Sequence, residues 1–572
     1  MIATFGTNNC NPGSPGASVF PTGLVVPGDK GIPNGLTQTY YKAFAPRIGL
    51  AWSPGWKDGW LSKLTGGPGK TSVRMGSGMF YNPVEQLVLE QFSAEPPFGG
   101  STSLFNVLFS TPFLGQNGIV SPNPFNGILN PPRGRPVDWS VFRPVVLFGQ
   151  LQPHERTQYA VQYNLNIQRE ITRDVVLQIG YVGRQGHRLL ATHDLNFGIA
   201  QTCLDLQRLS NTANPAYTDP AQIFGPLTCQ SFSTENAYGF VLQPGDKLTL
   251  PNGRVITGAA GGTPIGLVGL RPFSSPNCDP LNGWNPSTVS FINGCQPDGV
   301  PIFGSIFAQD NIANSSYHAL QVMVEKRFSV GLQFQAAYTF GKSLDNASSF
   351  ENLLNPINFR ANRSLSLFDA RHRFVFSYYW ELPVPKKQGF AGKIFNGWAL
   401  SGITSFQSGF PIRITSQSDL ELQNSFDFET PGEPNLVGTF RSLDPRQSVC
   451  ALGTGPNAGP NTPPTGPVPC VPIAGGFDPN IFTNATVRLG TIGNAPRSIC
   501  CGKGINNFEI GILKATSLAE RARLEFRAEL FNMFNHAQFF VPDGNITNGN
   551  DFGRVKRARD PRLVQFALKL FF

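Results

Sequence analysis

The sequence is poor in charge and has no long apolar run. Charged residues make up 14% of its 572 residues, and the formal charge of +9 comes from basic residues scattered along the chain. Because these residues form no extended basic patch, we expect no nucleic acid among the partners. No run of about 18 apolar residues occurs either, so the sequence holds no candidate transmembrane helix. A transmembrane β-barrel stays open, since its strands need only about 9–11 residues each.

Motifs for catalysis and cofactor binding are also missing. The six histidines form no metalloprotease pair, and no nucleophile elbow of the type G-x-S-x-G occurs. Glycine-rich stretches at 66–71 and 453–459 lack the spacing and flanking elements of nucleotide-binding loops. The acidic stretch 419–433 lacks the ligand spacing of a calcium loop. We therefore predict a protein that is not an enzyme, with no catalytic residue, no cofactor and no metal.

An export signal is missing from residues 1–6, which contain neither a basic nor an apolar region of the required kind. The nine cysteines nevertheless avoid the predicted strands, and no C-x2-C pair points to zinc. This distribution is typical of disulfides in an oxidising compartment. We therefore expect a chain whose true beginning is missing, with bridges inside two groups and Cys10 left over. The groups are Cys203, Cys229, Cys278 and Cys295, and Cys450, Cys470, Cys500 and Cys501.

The clearest positive signal is the C-terminus, where apolar residues occupy every second position from Val564 to Phe572. This period of two is that of a strand with one apolar and one wet environment. An apolar terminal strand invites aggregation unless the sheet closes into a barrel in lipid. The terminus resembles that of bacterial outer-membrane barrels, whose last strand usually ends in Phe and is read by the barrel-insertion machinery. The resemblance implies a C-terminal insertion signal made of Phe566, Leu568, Leu570 and Phe572.

The same alternation recurs along the chain and predicts eleven strands. They are 44–52, 72–80, 157–168, 175–183, 316–328, 332–342, 370–382, 397–407, 507–514, 521–530 and 561–572. In 521–530 the charged residues share one face and the apolar residues the other, and 332–342 divides in the same way. The predicted lumen-facing residues are Arg521, Arg523, Glu525, Arg527, Glu529, Gln333 and Gln335.

The connections between these strands alternate between short and long. The short ones are 53–71, 169–174, 329–331, 383–396 and 515–520, and the long ones are 81–156, 184–315, 343–369, 408–506 and 531–560. Short periplasmic turns and long extracellular loops are typical of outer-membrane barrels. We predict an all-β, antiparallel transmembrane barrel of which this chain supplies about eleven strands. Residues 1–43 form an extracellular segment and 44–572 the C-terminal portion of the barrel. A soluble β-sandwich is the alternative.

Several stretches resemble the C-terminal half of TonB-dependent transporters of the Oar-like type. They include APRIGLAW at 45–52, YNLNIQRE at 163–170, YTFGKS at 338–343, FDARHR at 368–373 and ELFNMFN at 529–535. The resemblance implies a receptor and transporter with a barrel of about 22 strands around an N-terminal plug. Neither the plug nor a TonB-contacting segment has a match here, so we expect a fragment.

The implied function is transport of an unidentified solute across the outer membrane. The implied partners are outer-membrane lipid, the barrel-insertion machinery, and the plug and TonB system. Two other interpretations remain open. A passive porin-like channel would have a polar lumen without a plug, and a secreted or surface adhesive β-protein would use the long loops for binding.

Overall fold

The computed structural model describes residues 30–83, 145–201 and 303–572, with gaps at 35–36, 152–153, 350–353, 357, 419, 422–431, 447, 451–471, 489 and 520. It also describes the short stretches 239–242, 244–249, 255–261, 263–266, 284–285 and 290–291. The statements below concern these residues. The predicted cysteine group at 203–295 lies outside them, as do Cys10 and Cys470.

Eleven strands form one sheet in which sequence neighbours are also sheet neighbours, and each successive pair is antiparallel. They are β1 Arg47–Trp52, β2 Thr71–Asn82, β3 Gln158–Thr172, β4 Val175–Asp194, β5 Phe303–Ser329, β6 Leu332–Asp345, β7 His372–Glu381, β8 Trp398–Gln407, β9 Ile505–Ala519, β10 Ala522–Phe531 and β11 Leu563–Phe571. The eleven predicted strands and the antiparallel fold class are therefore confirmed.

The cross-strand register gives the sheet one apolar and one polar face. One row of facing residues that crosses β2 to β8 is Val73, Ile167, Ile179, Val322, Tyr338, Phe374 and Phe406. The adjacent row, which points to the other face, is Arg74, Asn166, Gly180, Gln321, Thr339, Arg373 and Gln407. A wall between lipid and a wet interior requires this separation.

The sheet is open at both ends. Among the described residues, β1 pairs only with β2, and β11 pairs only with β10. Because an odd number of strands alternates in direction, β1 and β11 run the same way along the sheet. These two edges therefore cannot pair with each other in the antiparallel manner of the rest of the sheet.

The outer ends of β4 and β5 extend well beyond the predicted strands, to Asp194 and from Phe303. There Val145–Gln150 pairs with β5 in parallel, and Ser364–Leu365 pairs with the end of β6. Phe307, Ala308, Gln309 and Asp310 are all buried, so both faces of β5 are covered at this level. The alternation that predicts a strand disappears where both faces are buried.

The connections have the predicted alternation in length. Two of the short ones contain helices that the sequence patterns did not predict, α1 Gly59–Thr65 and α2 Gly389–Phe395. Helix α1 is followed by Gly66, whose φ of 79° is the left-handed conformation that commonly terminates a helix. Within the described part of the chain, no helix is long and apolar enough to cross a membrane.

The long connections at the other end fold into a packed structure, which we call the outer cap and define as the described residues of 408–421, 432–450, 472–504 and 532–562. Its core contains Ile412, Ile414, Phe477, Phe482, Ala495, Ile546 and Phe552. The rings of Phe477, Phe482 and Phe552 meet edge to face at 5.3–5.7 Å. Edge-to-face contacts of this kind add about 0.5–1.5 kcal/mol each beyond burial.

The remaining elements are short. The cap holds the two 3-10 helices Pro479–Ile481 and Ile546–Asp551. Its two-stranded ribbons are Ile412–Arg413 with Ser498–Ile499, Asn435–Leu436 with Phe482–Thr483, and Ser448–Cys450 with Pro472–Ala474. Three further ribbons are Gly239–Leu242 with Thr263–Gly266, Lys247–Thr249 with Val255–Thr257, and Trp284–Asn285 with Ser290–Phe291.

Candidate functional site

The polar face of β5 to β10 holds a cavity of about 640 Å³. Gln333, Gln335 and Glu529, three of the predicted lumen-facing residues, line it. The register explains why they meet. One row of facing residues crosses five strands and consists of Gln333, Tyr379, Ser401, Gly511 and Glu529. The structure thus brings together residues that lie almost 200 positions apart in the sequence.

Two carboxylates at this cavity were not among the predicted site residues. Glu325 lies opposite Gln335, and Glu509 lies opposite Ile403, on the same polar face. With Glu529 they give the cavity three acidic side chains, and Arg327 adds positive charge beside them. The alternation within 316–328 and 507–514 was a sufficient signal for both glutamates.

The charged residues of β10 lie on the same face, nearer the short turns. Arg523 forms an ion pair with Glu525, and Arg527 lies 4.0 Å from Glu529. Glu525 also faces Lys569 of β11. Arg521 lies in the turn before β10, which begins at Ala522, so the predicted strand starts one residue too early, and the lumen-facing position of Arg521 stays a prediction. These partly exposed pairs are worth no more than about 1 kcal/mol each.

The predicted insertion signal lies along the open edge. Phe566 and Leu568 are 69% and 67% exposed and face Ala528 and Phe526 on the apolar side of β10. Leu570 faces Leu524 on the same side. Phe572 is 99% exposed and follows the last residue of β11, so it lies just outside the strand. Phe566, Leu568 and Leu570 share one face of β11, and the role of the four residues in insertion stays a prediction.

A buried arginine fastens the outer cap to the sheet. Arg497 is 1% exposed and forms an ion pair with Asp345, the last residue of β6. Its Nε donates to the carbonyl oxygen of Asn362 at 2.8 Å, and Nη2 donates to that of Asp345 at 3.3 Å. Burial lowers the pKa of Arg497, and Asp345 opposes this change. No local sequence pattern pointed to this pair.

A second buried titratable residue of the cap is Glu433, which is 6% exposed. Burial raises the pKa of its carboxyl from 4.5 to about 8, Arg413 opposes the increase, and Glu421 adds to it. The Glu421 carboxylate accepts a hydrogen bond from the backbone N–H of Glu433 at 3.2 Å. Glu433 is therefore mostly protonated at neutral pH.

The cap also contains the described cysteines. Cys500 and Cys501 are joined to each other, and Cys450 ends a short strand of the cap. Among the described residues, no three His, Cys, Asp or Glu side chains are grouped closely enough to hold a metal ion.

An open antiparallel sheet with one lipid-compatible face, one polar face, short turns and a folded outer cap defines the wall of a membrane barrel. The chain belongs to the outer membrane beta barrel domain family, whose model matches residues 2–565. Its location is accordingly the bacterial outer membrane, and the family is one of barrel proteins and not of enzymes. No curated protein matches the chain.

Solved structures with a similar arrangement are outer-membrane proteins. The transporter YddB from Escherichia coli is 8% identical, with 88% of this chain and 38% of that chain covered and a TM-score of 0.36. The siderophore receptor PirA from Acinetobacter baumannii is 8% identical, with 92% of this chain and 40% of that chain covered and a TM-score of 0.33. The ferric enterobactin receptor PfeA from Pseudomonas aeruginosa is also 8% identical, with 92% of this chain and 40% of that chain covered and a TM-score of 0.34. This chain spans about two fifths of their length.

Proposed function

We propose that the chain is the C-terminal part of the barrel wall of an Oar-like TonB-dependent transporter, a receptor that moves a solute across the outer membrane. The observation that carries the proposal is the 640 Å³ cavity on the polar face, with carboxylate, amide and hydroxyl groups along its walls. A solute path or a plug needs such a surface. The assignment to the transporter class rests on the stretches at 45–52, 163–170 and 529–535, which resemble TonB-dependent transporters.

The open edges give the proposal its second support. Antiparallel closure of β1 onto β11 needs an odd number of additional strands. A barrel of about 22 strands needs about eleven more, which is an odd number. A second copy in the same membrane orientation does not help, because its β1 would still run parallel to β11. We therefore assign the missing strands, the plug and the TonB-contacting segment to other parts of a longer protein.

The proposed orientation follows from the connections. The turns with α1 and α2 lie in the periplasm, and the outer cap and residues 1–43 lie outside the cell. Residues 44–572 then form the barrel portion, whose apolar face contacts outer-membrane lipid. The insertion machinery binds the C-terminal signal made of Phe566, Leu568, Leu570 and Phe572. The polar face, which includes Gln333 and Gln335, contacts the plug and the unidentified solute.

Conductance separates this proposal from a passive channel. We expect the chain 1–572, folded in detergent and added to planar bilayers, to give no discrete, stable conductance and no heat-modifiable migration, because its sheet is open. A steady single-channel conductance would instead support a closed porin-like barrel. Recovery of the exported chain as a soluble monomer after carbonate washing would refute both and support the adhesive protein.

A further inference from the structure

The short connection between β7 and β8 carries positive charge only. Residues 382–397 contain three lysines and no acidic residue, whereas the whole chain has 45 basic and 36 acidic residues. Lys386, Lys387 and Lys393 are all exposed, and none of them forms an ion pair with another described residue. The connection therefore presents three uncompensated ammonium groups at one end of the sheet.

Helix α2, which lies in this connection, adds exposed apolar side chains to the charge. Phe390 is 78% exposed, and Ile394 and Phe395 are 46% and 53% exposed. Phe390 and Ile394 are four residues apart, so they share one face of the helix. The strands on either side, β7 and β8, lie inside the sheet between β6 and β9, so no open edge explains this exposure. An exposed apolar group of this kind, bordered by charge, is typical of an interaction surface.

Hydrogen bonds hold α2 over the apolar face of the sheet. Trp398 lies an even number of residues before Phe406 on β8, and Lys514 of β9 faces Trp398, so both side chains belong to the apolar face. The indole Nε1 of Trp398 donates to the carbonyl oxygen of Ile394 at 2.9 Å, and the Lys514 ammonium donates to that of Asn396. The helix therefore lies on the lipid side of the wall and not on its polar side.

The side chain of Asn396 joins the lysine segment to the end of the helix. Its Oδ1 accepts a hydrogen bond from the backbone N–H of Lys387 at 3.0 Å, and its Nδ2 donates to the carbonyl oxygen of Lys387 at 2.9 Å. Because the same residue caps α2, the lysine backbone and the helix are held together. The exposed charges and the exposed apolar side chains thus form one surface.

Helix α1 has a similar arrangement at the same end of the sheet. Trp60 and Leu64 are 72% and 60% exposed, and the exposed Lys63 lies between them in the sequence. Arg169, which shares the apolar face of β3 with Ile167, donates to the carbonyl oxygen of Lys63 at 3.2 Å. Two connections therefore place basic and apolar side chains together on the lipid side.

We propose that the α2 surface, defined as Lys386, Lys387, Lys393, Phe390 and Ile394, binds anionic phospholipid. Its apolar side chains enter the boundary between headgroups and acyl chains, as those of an interfacial helix do. Each lysine near an anionic lipid surface strengthens binding by about fivefold. A soluble protein does not reach the lipid side of the wall, so the position of α2 favours lipid as the partner. Only the assignment to the periplasmic leaflet rests on the proposed orientation.

The test uses protein extracted from outer membranes in detergent, mixed with phosphatidylglycerol or phosphatidylethanolamine and analysed with its bound lipid by native mass spectrometry. We expect the wild type to bind the first phosphatidylglycerol at least about tenfold more tightly than phosphatidylethanolamine. Lys386→Gln with Lys387→Gln should remove most of this preference. Arg74→Gln with Arg373→Gln, which removes the same charge from the polar face, is the matched control and should keep it.

A second variant separates the apolar contact from the charge. Phe390→Ser should weaken the binding of both lipids by a similar factor and leave the preference unchanged, because it removes apolar area and no charge. If the double lysine variant fails to fold, Lys393→Gln, whose side chain is exposed, should still reduce the preference by about fivefold.

Two results overturn the proposal. The first is equal affinity of the wild type for the two lipids, which would leave the α2 surface to a periplasmic protein. The second is the same loss of preference in the double lysine variant and in the Arg74 and Arg373 control, which would make it an effect of net charge alone. Neither result bears on the transporter proposal, whereas recovery of the exported chain as a soluble monomer would refute both.

Discussion

Replacing Arg497 with Met should open the outer cap. The substitution keeps most of the side-chain volume and leaves the buried Asp345 carboxylate, 4% exposed, without its partner. Breaking a buried ion pair by removing one partner costs about 3–5 kcal/mol. The carbonyl oxygens of Asn362 and Asp345 also lose their donors. If the cap opens as a unit, amide exchange in 472–504 should accelerate by about two to three orders of magnitude.

Hydrogen exchange followed by mass spectrometry on the membrane-embedded protein measures this directly. Arg446→Met is the matched control: Arg446 also pairs with an aspartate of the cap, Asp444, but its side chain is 67% exposed. We expect no measurable change there. The double variant Arg497→Met with Asp345→Leu should recover part of the loss, because it leaves no unpaired charge. Unchanged exchange in Arg497→Met would refute the assignment of the ion pair as the fastening of the cap.

Three further expectations can be checked together. Val322 lies on the apolar face of β5, four residues from His318 on one side and from Lys326 on the other. Val322→Lys should therefore lower the free energy of unfolding by about 2–4 kcal/mol, whereas Gln321→Lys on the polar face should be tolerated. Urea titration of the outer-membrane protein compares the two variants. The raised pKa of Glu433 means that the folded cap binds its proton more tightly than the unfolded chain. Its contribution is complete below pH 4.5 and is lost as the pH rises to about 8, so the protection of cap amides relative to their intrinsic, base-catalysed exchange rate should fall over this range, and Glu433→Gln should flatten that fall. Non-reducing mass spectrometry should find bridges within 203–295 and within 450–501, and free thiols throughout would contradict an oxidising location.

The sequence could predict the wall of the sheet because each face of a strand meets one solvent over many residues. The alternation in β10 and β11 is complete for this reason, and it located strands that were all confirmed. The alternation covers too little of β4 and β5, because side chains on both faces of the outer part of β5, such as Phe307 and Asp310, are buried. Helices α1 and α2 are seven residues long, too short to show a helical period.

Side-chain partners could be predicted less well than strands. The polar positions Gln333, Gln335 and Glu529 follow from alternation alone, but their meeting at one cavity follows from the order and register of five strands. Arg497 lies outside any stretch of alternating apolar and polar residues, and only the tertiary structure brings it to its partner Asp345. Such pairs depend on distant segments, so no local pattern contains them.

The fastening of the cap has a consequence for the order of assembly. Arg497 and Asp345 are separated by 152 residues, and β7 and β8 lie between them in the sequence. Closing so long a loop carries a large entropic cost until the intervening strands are in place. The folded state of the cap therefore reports on the sheet beneath it. A one-residue slip of β7 or β8 would exchange their apolar and polar faces, and we expect it to leave Arg497 out of reach of its partner.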